Sequence, residues 1–142
     1  KKTGQRVYLI LGDGECQEGQ VWEMALYASH RQLSNLITFV DRNGKQLDGY
    51  VDEIMPLGNL EAKFSAFGWN VATVDGHDVE ALYHAIRKTE TEKQRPNVII
   101  MNTIKGKGAD FVENEKYNHH LTISKEQAED AISKLIAEVE YV

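Results

Sequence analysis

Four short apolar runs, each followed by a segment whose apolar residues recur at helical spacing, constrain the fold of this chain more than any other feature. Residues 6–11, 36–40, 69–74 and 97–103 are continuously apolar or nearly so, and the first three are closed by Gly12, Asp41 and Asp75, the pattern of buried strands. Residues 17–31, 59–67, 78–92 and 124–141 carry the helical spacing. Asp78 is placed to cap the third helix, and Ser124 with Gln127 matches a capping box for the last. Strands that alternate with helices pair in parallel, so the expected class is α/β, a parallel sheet flanked by helices. At 142 residues and 42% hydrophobic, with no repeat and no low-complexity linker, residues 1–142 are expected to form a single domain. The chain does not begin with methionine, and "KKTGQR" runs almost at once into the first strand, so further sequence is expected upstream.

Charge narrows the partners. A formal net charge of −6 offers no long-range attraction to nucleic acid or to an anionic membrane, so neither is an expected partner. Any phosphate bound here has to be neutralised locally. Cys16 is the sole cysteine, which excludes an internal disulfide, and there is no apolar stretch of the roughly 20 residues a membrane span needs. A reducing cytoplasm is the expected compartment.

The first strand ends in "GDGECQEGQVWEMA", an acid between two glycines where phosphate loops usually offer a lysine. In open parallel sheets ligands sit beyond the carboxyl ends of the strands, and Asp13 and Asn43 both fall at such ends. Gly12 and Gly14 let backbone approach a ligand, and the helix expected to start near Gln17 turns its N–H groups and positive dipole end the same way, which suits a phosphate. A bare carboxylate repels a phosphate, so Asp13 requires a cation between them, and hard oxygen donors beside a phosphate point to magnesium. A dinucleotide-binding loop would need glycine at position 17, where Gln17 stands, and no Gly-Lys-Ser/Thr occurs for a Walker A loop. Taken alone, Gly-Asp-Gly is also an ordinary tight turn with an Asx hydrogen bond; the second half of the pattern decides between the two.

That second half is Asn43, which follows Gly14 after 28 intervening residues and closes an apolar strand. Gly12-Asp13-Gly14 with this Asn resembles the thiamine diphosphate motif. The continuous text "GDGECQEGQVWEMALYASHRQLSNLITFVDRNGKQLDG", with "FSAFGWNVATVDGHD" and "NTIKGKG", is similar to transketolase over nearly the whole chain. "KGKG" by itself also resembles deoxyxylulose phosphate synthase.

The resemblance implies a thiamine diphosphate-binding fold, of which this chain is the C-terminal part of the diphosphate-binding domain. It implies magnesium held by Asp13, the Asn43 amide oxygen and the Lys45 backbone carbonyl, with two diphosphate oxygens and a water completing an octahedron. Gly12 and Gly14 then lie against the diphosphate. Glu18 and Glu23 fall near a dimer interface where acids link two active sites, and His119 of "NHH" faces substrate and diphosphate, with His120 as the alternative register. The implied activity is transfer of a two-carbon ketol unit between sugar phosphates. The alternatives are a decarboxylating condensation like that of deoxyxylulose phosphate synthase, and a non-catalytic cofactor-binding or interaction subunit. The implied partner is a pyrimidine-binding domain or subunit, in a homodimer or heterotetramer, and without it this chain is expected to show no turnover. Glu15 departs from the family pattern by adding negative charge beside the phosphate, which Arg42 is placed to offset. Lys105 and Lys107 are candidates for a phosphate contact or plain solvated lysines, and His77 is expected to order a turn. His30 and His84 read as surface or packing residues, and Trp22 and Met24 as helix core.

Overall fold

The computed structural model of the chain describes residues 4–139. Its centre is a four-stranded parallel sheet in the order β1–β2–β6–β5, built from β1 (Val7–Gly12), β2 (Leu36–Arg42), β5 (Asn70–Asp75) and β6 (Asn97–Asn102). Between them run α1 (Gly19–His30), α3 (Leu60–Ala66) and α4 (Val79–Thr89), and α6 (Lys125–Val139) follows the sheet. A miniature hairpin, β3 (Lys45–Gln46) and β4 (Gly49–Tyr50), leads into the single turn α2 (Val51–Ile54), and a second single turn, α5 (Asp110–Glu113), interrupts the long loop after β6. This is the expected α/β class.

Alternation along the strands sends side chains to two faces. Leu11, Val40, Val98 and Ile100 point to one, where Val21, Ala25 and Ala28 of α1 and Leu60 and Phe64 of α3 cover them. Trp69 joins this cluster, and its buried indole N–H donates to the Ala25 carbonyl at 2.9 Å, which satisfies the one polar atom the ring brings inside. Trp22 stacks on Phe67 and tilts against Phe64. On the other face, Ile37 and Ile99, with Phe39, Val74 and Met101 around them, lie under Ala85 and Ile86 of α4. That helix reaches only the β5–β6 side, so Tyr8 and Ile10 of β1 stay 53% and 71% exposed.

The helix starts follow local chemistry. Asn59 and Asp78 cap α3 and α4 by accepting the N–H groups of Ala62 and Ala81 at 2.8 and 2.9 Å. Ser124 and Gln127 form the reciprocal capping box of α6. The expected last residues of that helix, 140 and 141, lie outside the described residues.

Helix α4 ends at Thr89, short of the expected 92, and two boundaries at the site also differ from expectation. Strand β2 continues past residue 40, because Asp41 and Arg42 still pair with Met101 and Asn102 of β6. Helix α1 begins at Gly19 and not near Gln17. Gly14–Gln17 forms a 3-10 turn capped by Asp13, and extended Glu18 (φ −81°, ψ 134°) separates it from α1. The N–H groups nearest the strand edge therefore belong to that tight turn.

Candidate functional site

Register brings the chemistry to one edge. Gly12 pairs with Asp41, Arg42 with Asn102, and Asp75 with Asn102, so the carboxyl ends of all four strands finish side by side. Beyond that edge lies a cleft of about 340 Å³ whose lining includes Ile10, Asp41, Asn43, His77, Thr103 and Lys105. A second hollow, of about 410 Å³, opens at the amino ends of the strands around Arg6, Asn35, Thr89 and Glu90, away from the glycine-flanked acid.

Asp13 stands where β1 gives way to the 3-10 turn and is only 2% exposed. Its Oδ1 accepts the Gly14 N–H at 2.8 Å, and its Oδ2 accepts the Gly44 N–H at 2.6 Å, which ties the end of β1 to the loop after β2. Burial holds the carboxyl above its ordinary range and the nearby Asp41 adds to this, while the two N–H groups pull the other way. A buried acid of this kind is stabilised by a cation. Gly14 is tightly approached: a Cβ there would stand 3.0 Å from Gln46 Cβ, so Gln46 would have to give way for a side chain.

Asn43 immediately precedes Gly44, the residue that donates its N–H to Asp13. Asn43 Oδ1 accepts the Lys45 N–H at 2.9 Å, and its Nδ2 donates to Asp41 Oδ2 at 3.1 Å. Asp41 Oδ1 in turn accepts the Thr103 hydroxyl, while the Asp41 carbonyl accepts the Asp13 N–H at 3.1 Å. The Lys45 ammonium leaves this region and donates to the carbonyls of Glu113 and Glu115 at 3.0 and 2.9 Å, fastening the end of α5 to the hairpin.

The donor set suits a hard dication. One carboxylate, one amide oxygen and a backbone carbonyl come from Asp13, Asn43 and Lys45, and Gln46 Oε1 lies buried without a hydrogen-bond partner against Gly14. Among the described residues no group of three His, Cys, Asp or Glu side chains is arranged to hold a metal.

Other expected residues stand apart. Glu18 is the exposed N-cap of α1, where it accepts from Gln20, and Glu23 lies on the exposed side of that helix. His119 and His120 are exposed and pack edge to face at 5.2 Å; neither lines the cleft, whereas the neighbouring Asn118 is buried and donates to the Val112 carbonyl. Arg42 does not offset Glu15. Its guanidinium binds Asn102 and Glu61, and Glu15 Oε2 instead accepts the Gly12 N–H at 2.9 Å. In its own turn His77 donates its backbone N–H to Asp75 Oδ1 at 2.8 Å, while its Nε2 accepts the Ile104 N–H at 2.8 Å and so ties that turn to the loop after β6.

Sequence reasoning missed Asp41 and Thr103. Asp41 lies only two positions before Asn43, a nearness available in the sequence. Thr103 is brought to it only by the β2–β6 pairing.

The chain matches the family model for transketolase, thiamine diphosphate binding domain, over residues 2–138. It is 43% identical over 129 residues to the 6-deoxy-6-sulfo-D-fructose transketolase subunit SqwG of Clostridium sp. (strain MSTE9), covering 91% of this chain and 47% of that protein. It is 32% identical over 139 residues to an apulose-4-phosphate transketolase subunit of Phocaeicola vulgatus, covering 98% and 50%. The chain thus spans about half the length of these two curated relatives. The crystal structure of a transketolase from Campylobacter jejuni superposes with a TM-score of 0.85 at 28% identity, over 92% of this chain and 20% of that one. With the parallel sheet, the glycine-flanked acid at its carboxyl edge and a family match over nearly its whole length, the chain belongs to the transketolase family of thiamine diphosphate-binding domains.

Proposed function

We propose that this chain supplies the diphosphate and magnesium site of a transketolase, as the later part of its diphosphate-binding domain. The observation that carries the reading is Asp13: a buried carboxylate at a strand's carboxyl end, tied by the Gly44 N–H to the loop that carries Asn43, in a chain of this family. Asp13, the Asn43 amide oxygen and the Lys45 carbonyl hold the magnesium, and Gly12 and Gly14 lie against the diphosphate. The chemistry supplied by bound thiamine diphosphate is cleavage and re-formation of the bond beside a ketose carbonyl, so that a two-carbon ketol unit moves from a ketose donor to an aldose acceptor, both of the sugar-phosphate class.

The protein's own contribution is binding and orientation. Asp13 brings the negative charge that fixes the cation, and the rigid strand ends fix the cation's distance from the N–H groups of the 3-10 turn. His119, on the loop after β6, faces the substrate once the remaining parts of the enzyme close over this edge, and Glu18 and Glu23 face a second protomer. Relatives named as transketolase subunits support a partner chain carrying the pyrimidine-binding domain, in a heterotetramer or, when fused, a homodimer of the cytoplasm.

The test is a coupled assay of the chain alone and of the protein with its pyrimidine-binding partner. Donors should include a ketose phosphate, 6-deoxy-6-sulfo-D-fructose, the compound in one relative's name, and pyruvate. The reading expects ketol transfer from a ketose by the complete enzyme and none by this chain alone. Turnover of pyruvate only would replace it with decarboxylating condensation, and no turnover despite cofactor binding would make the chain a binding subunit.

A further inference from the structure

We infer that Asp41, held by Thr103, is a positioning residue that sets which end of the Asn43 carboxamide faces the metal. The inference rests on the magnesium reading of Asn43. An amide's oxygen and NH₂ ends are nearly the same size, yet only the oxygen ligates a cation. A carboxylate accepts hydrogen bonds and does not donate them, so the Asp41 carboxylate pairs with Nδ2, at 3.1 Å, and would repel Oδ1. The Lys45 N–H, 2.9 Å from Oδ1, marks the opposite end as the acceptor. Both sides of the amide therefore specify one orientation, with Oδ1 directed away from Asp41.

Asp41 is itself fixed. Its two oxygens are divided between two donors, Asn43 Nδ2 on one and the Thr103 hydroxyl on the other. Its backbone is locked in the sheet, paired with Gly12 on β1 and Met101 on β6, and its carbonyl receives the Asp13 N–H. Asp41 thus touches both side-chain ligands, one through its carbonyl and the other through its carboxylate. Thr103 is held just past the end of β6, with its N–H on the Arg42 carbonyl. Partners that orient a metal ligand typically cost 10–100-fold in metal affinity when removed.

Removing Asp41 would also remove a negative charge near the cation, so the decisive substitutions fall on Thr103. Thr103→Val keeps shape and charge and deletes only the hydroxyl; Thr103→Ser keeps the hydroxyl. The full-length protein is titrated with Mn²⁺ in the presence of thiamine diphosphate, bound metal is read by electron paramagnetic resonance, and metal-free thermal unfolding is measured alongside. Asp13→Ala serves as the reference for the metal site. The expected result is loss of tight Mn²⁺ binding in Asp13→Ala, a Kd raised about 10-fold or more in Thr103→Val, and wild-type affinity within about twofold in Thr103→Ser. Wild-type affinity in Thr103→Val with Asp13→Ala still impaired would overturn the positioning role and leave the metal reading standing, as would equal losses in the Val and Ser variants. Undiminished binding in Asp13→Ala would remove the metal reading and this inference with it.

Discussion

The Asp13 carboxylate accepts the backbone N–H of Gly44 at 2.6 Å, joining the end of β1 to the loop that carries Asn43 and Lys45 across 31 residues of sequence. This contact brings two distant sequence signals to the same edge of the sheet. It also keeps a carboxyl group where solvent barely reaches, and burial disfavours its charged form.

Cys16 shows how closed the floor beneath that acid is. Its side chain is fully buried, and burial, with Asp13 and Glu15 adding to it, pushes the thiol up to about 12. The native protein is therefore expected to leave Cys16 unmodified by a thiol reagent at pH 8, with one equivalent reacting after unfolding in urea. Rapid native labelling would show that the 3-10 turn opens far more readily than its packing indicates.

A glycine at the same edge should prove indispensable. A Cβ on Gly76 would come within 2.4 Å of Thr103 Cγ2 and 2.9 Å of Met101 Cβ, neither of which sits at the end of a flexible chain. Gly76→Ala is expected to destabilise the fold by about 1–3 kcal/mol in denaturant titration, the usual range for overpacking. A ΔΔG below about 0.5 kcal/mol would mean that the β5 and β6 ends separate freely.

The strands were legible because a strand buried on both faces in a parallel sheet is a continuous apolar run, and "LITFV" and "NVIIMN" carry little else. The 3-10 turn was not, since Gly-Glu-Cys-Gln has no periodicity to set it apart from the first turn of a helix. In the sequence Asp41 resembles the start of a loop, because polarity marks loops. Here it still belongs to the strand, paired with Met101, and its carboxylate takes hydrogen bonds from Asn43 and Thr103. The partner of Arg42 was hidden for another reason: Glu61 reaches it from α3, 19 residues away, and nothing local foretells that meeting.

Lys45 has two separable roles. Its carbonyl is the proposed metal ligand, while its ammonium grips the Glu113 and Glu115 carbonyls at the end of α5. Lys45→Met keeps the carbonyl and removes the grip. Amide hydrogen exchange over residues 110–120 is expected to accelerate, with exchange in the central strands unchanged. Unaltered exchange in that loop would show that other contacts hold it.

Acid should weaken the turn that leads into β6. Backbone N–H groups of Gln94 and Arg95 and the Arg95 guanidinium hold the Glu92 carboxyl down, from an ordinary 4.5 to about 2, the Gln94 N–H contributing most. A folded-state value below the unfolded one gives stability that is complete above about pH 4.5 and lost as pH falls towards 2. Glu92→Gln should flatten the fall in unfolding free energy across that window, and the difference should shrink in high salt because the group is near the surface. Identical acid profiles for the two proteins would show that Glu92 titrates normally.

The most direct measurement is calorimetric titration of thiamine diphosphate into the protein with and without magnesium, in wild type and in Asp13→Ala. Binding is expected to require magnesium and to fall about 100-fold or more when Asp13 is removed, as for a charged ligand lost from a hard-cation site, about 3 kcal/mol by affinity arithmetic. Binding of equal strength without magnesium, or in Asp13→Ala, would contradict the magnesium reading.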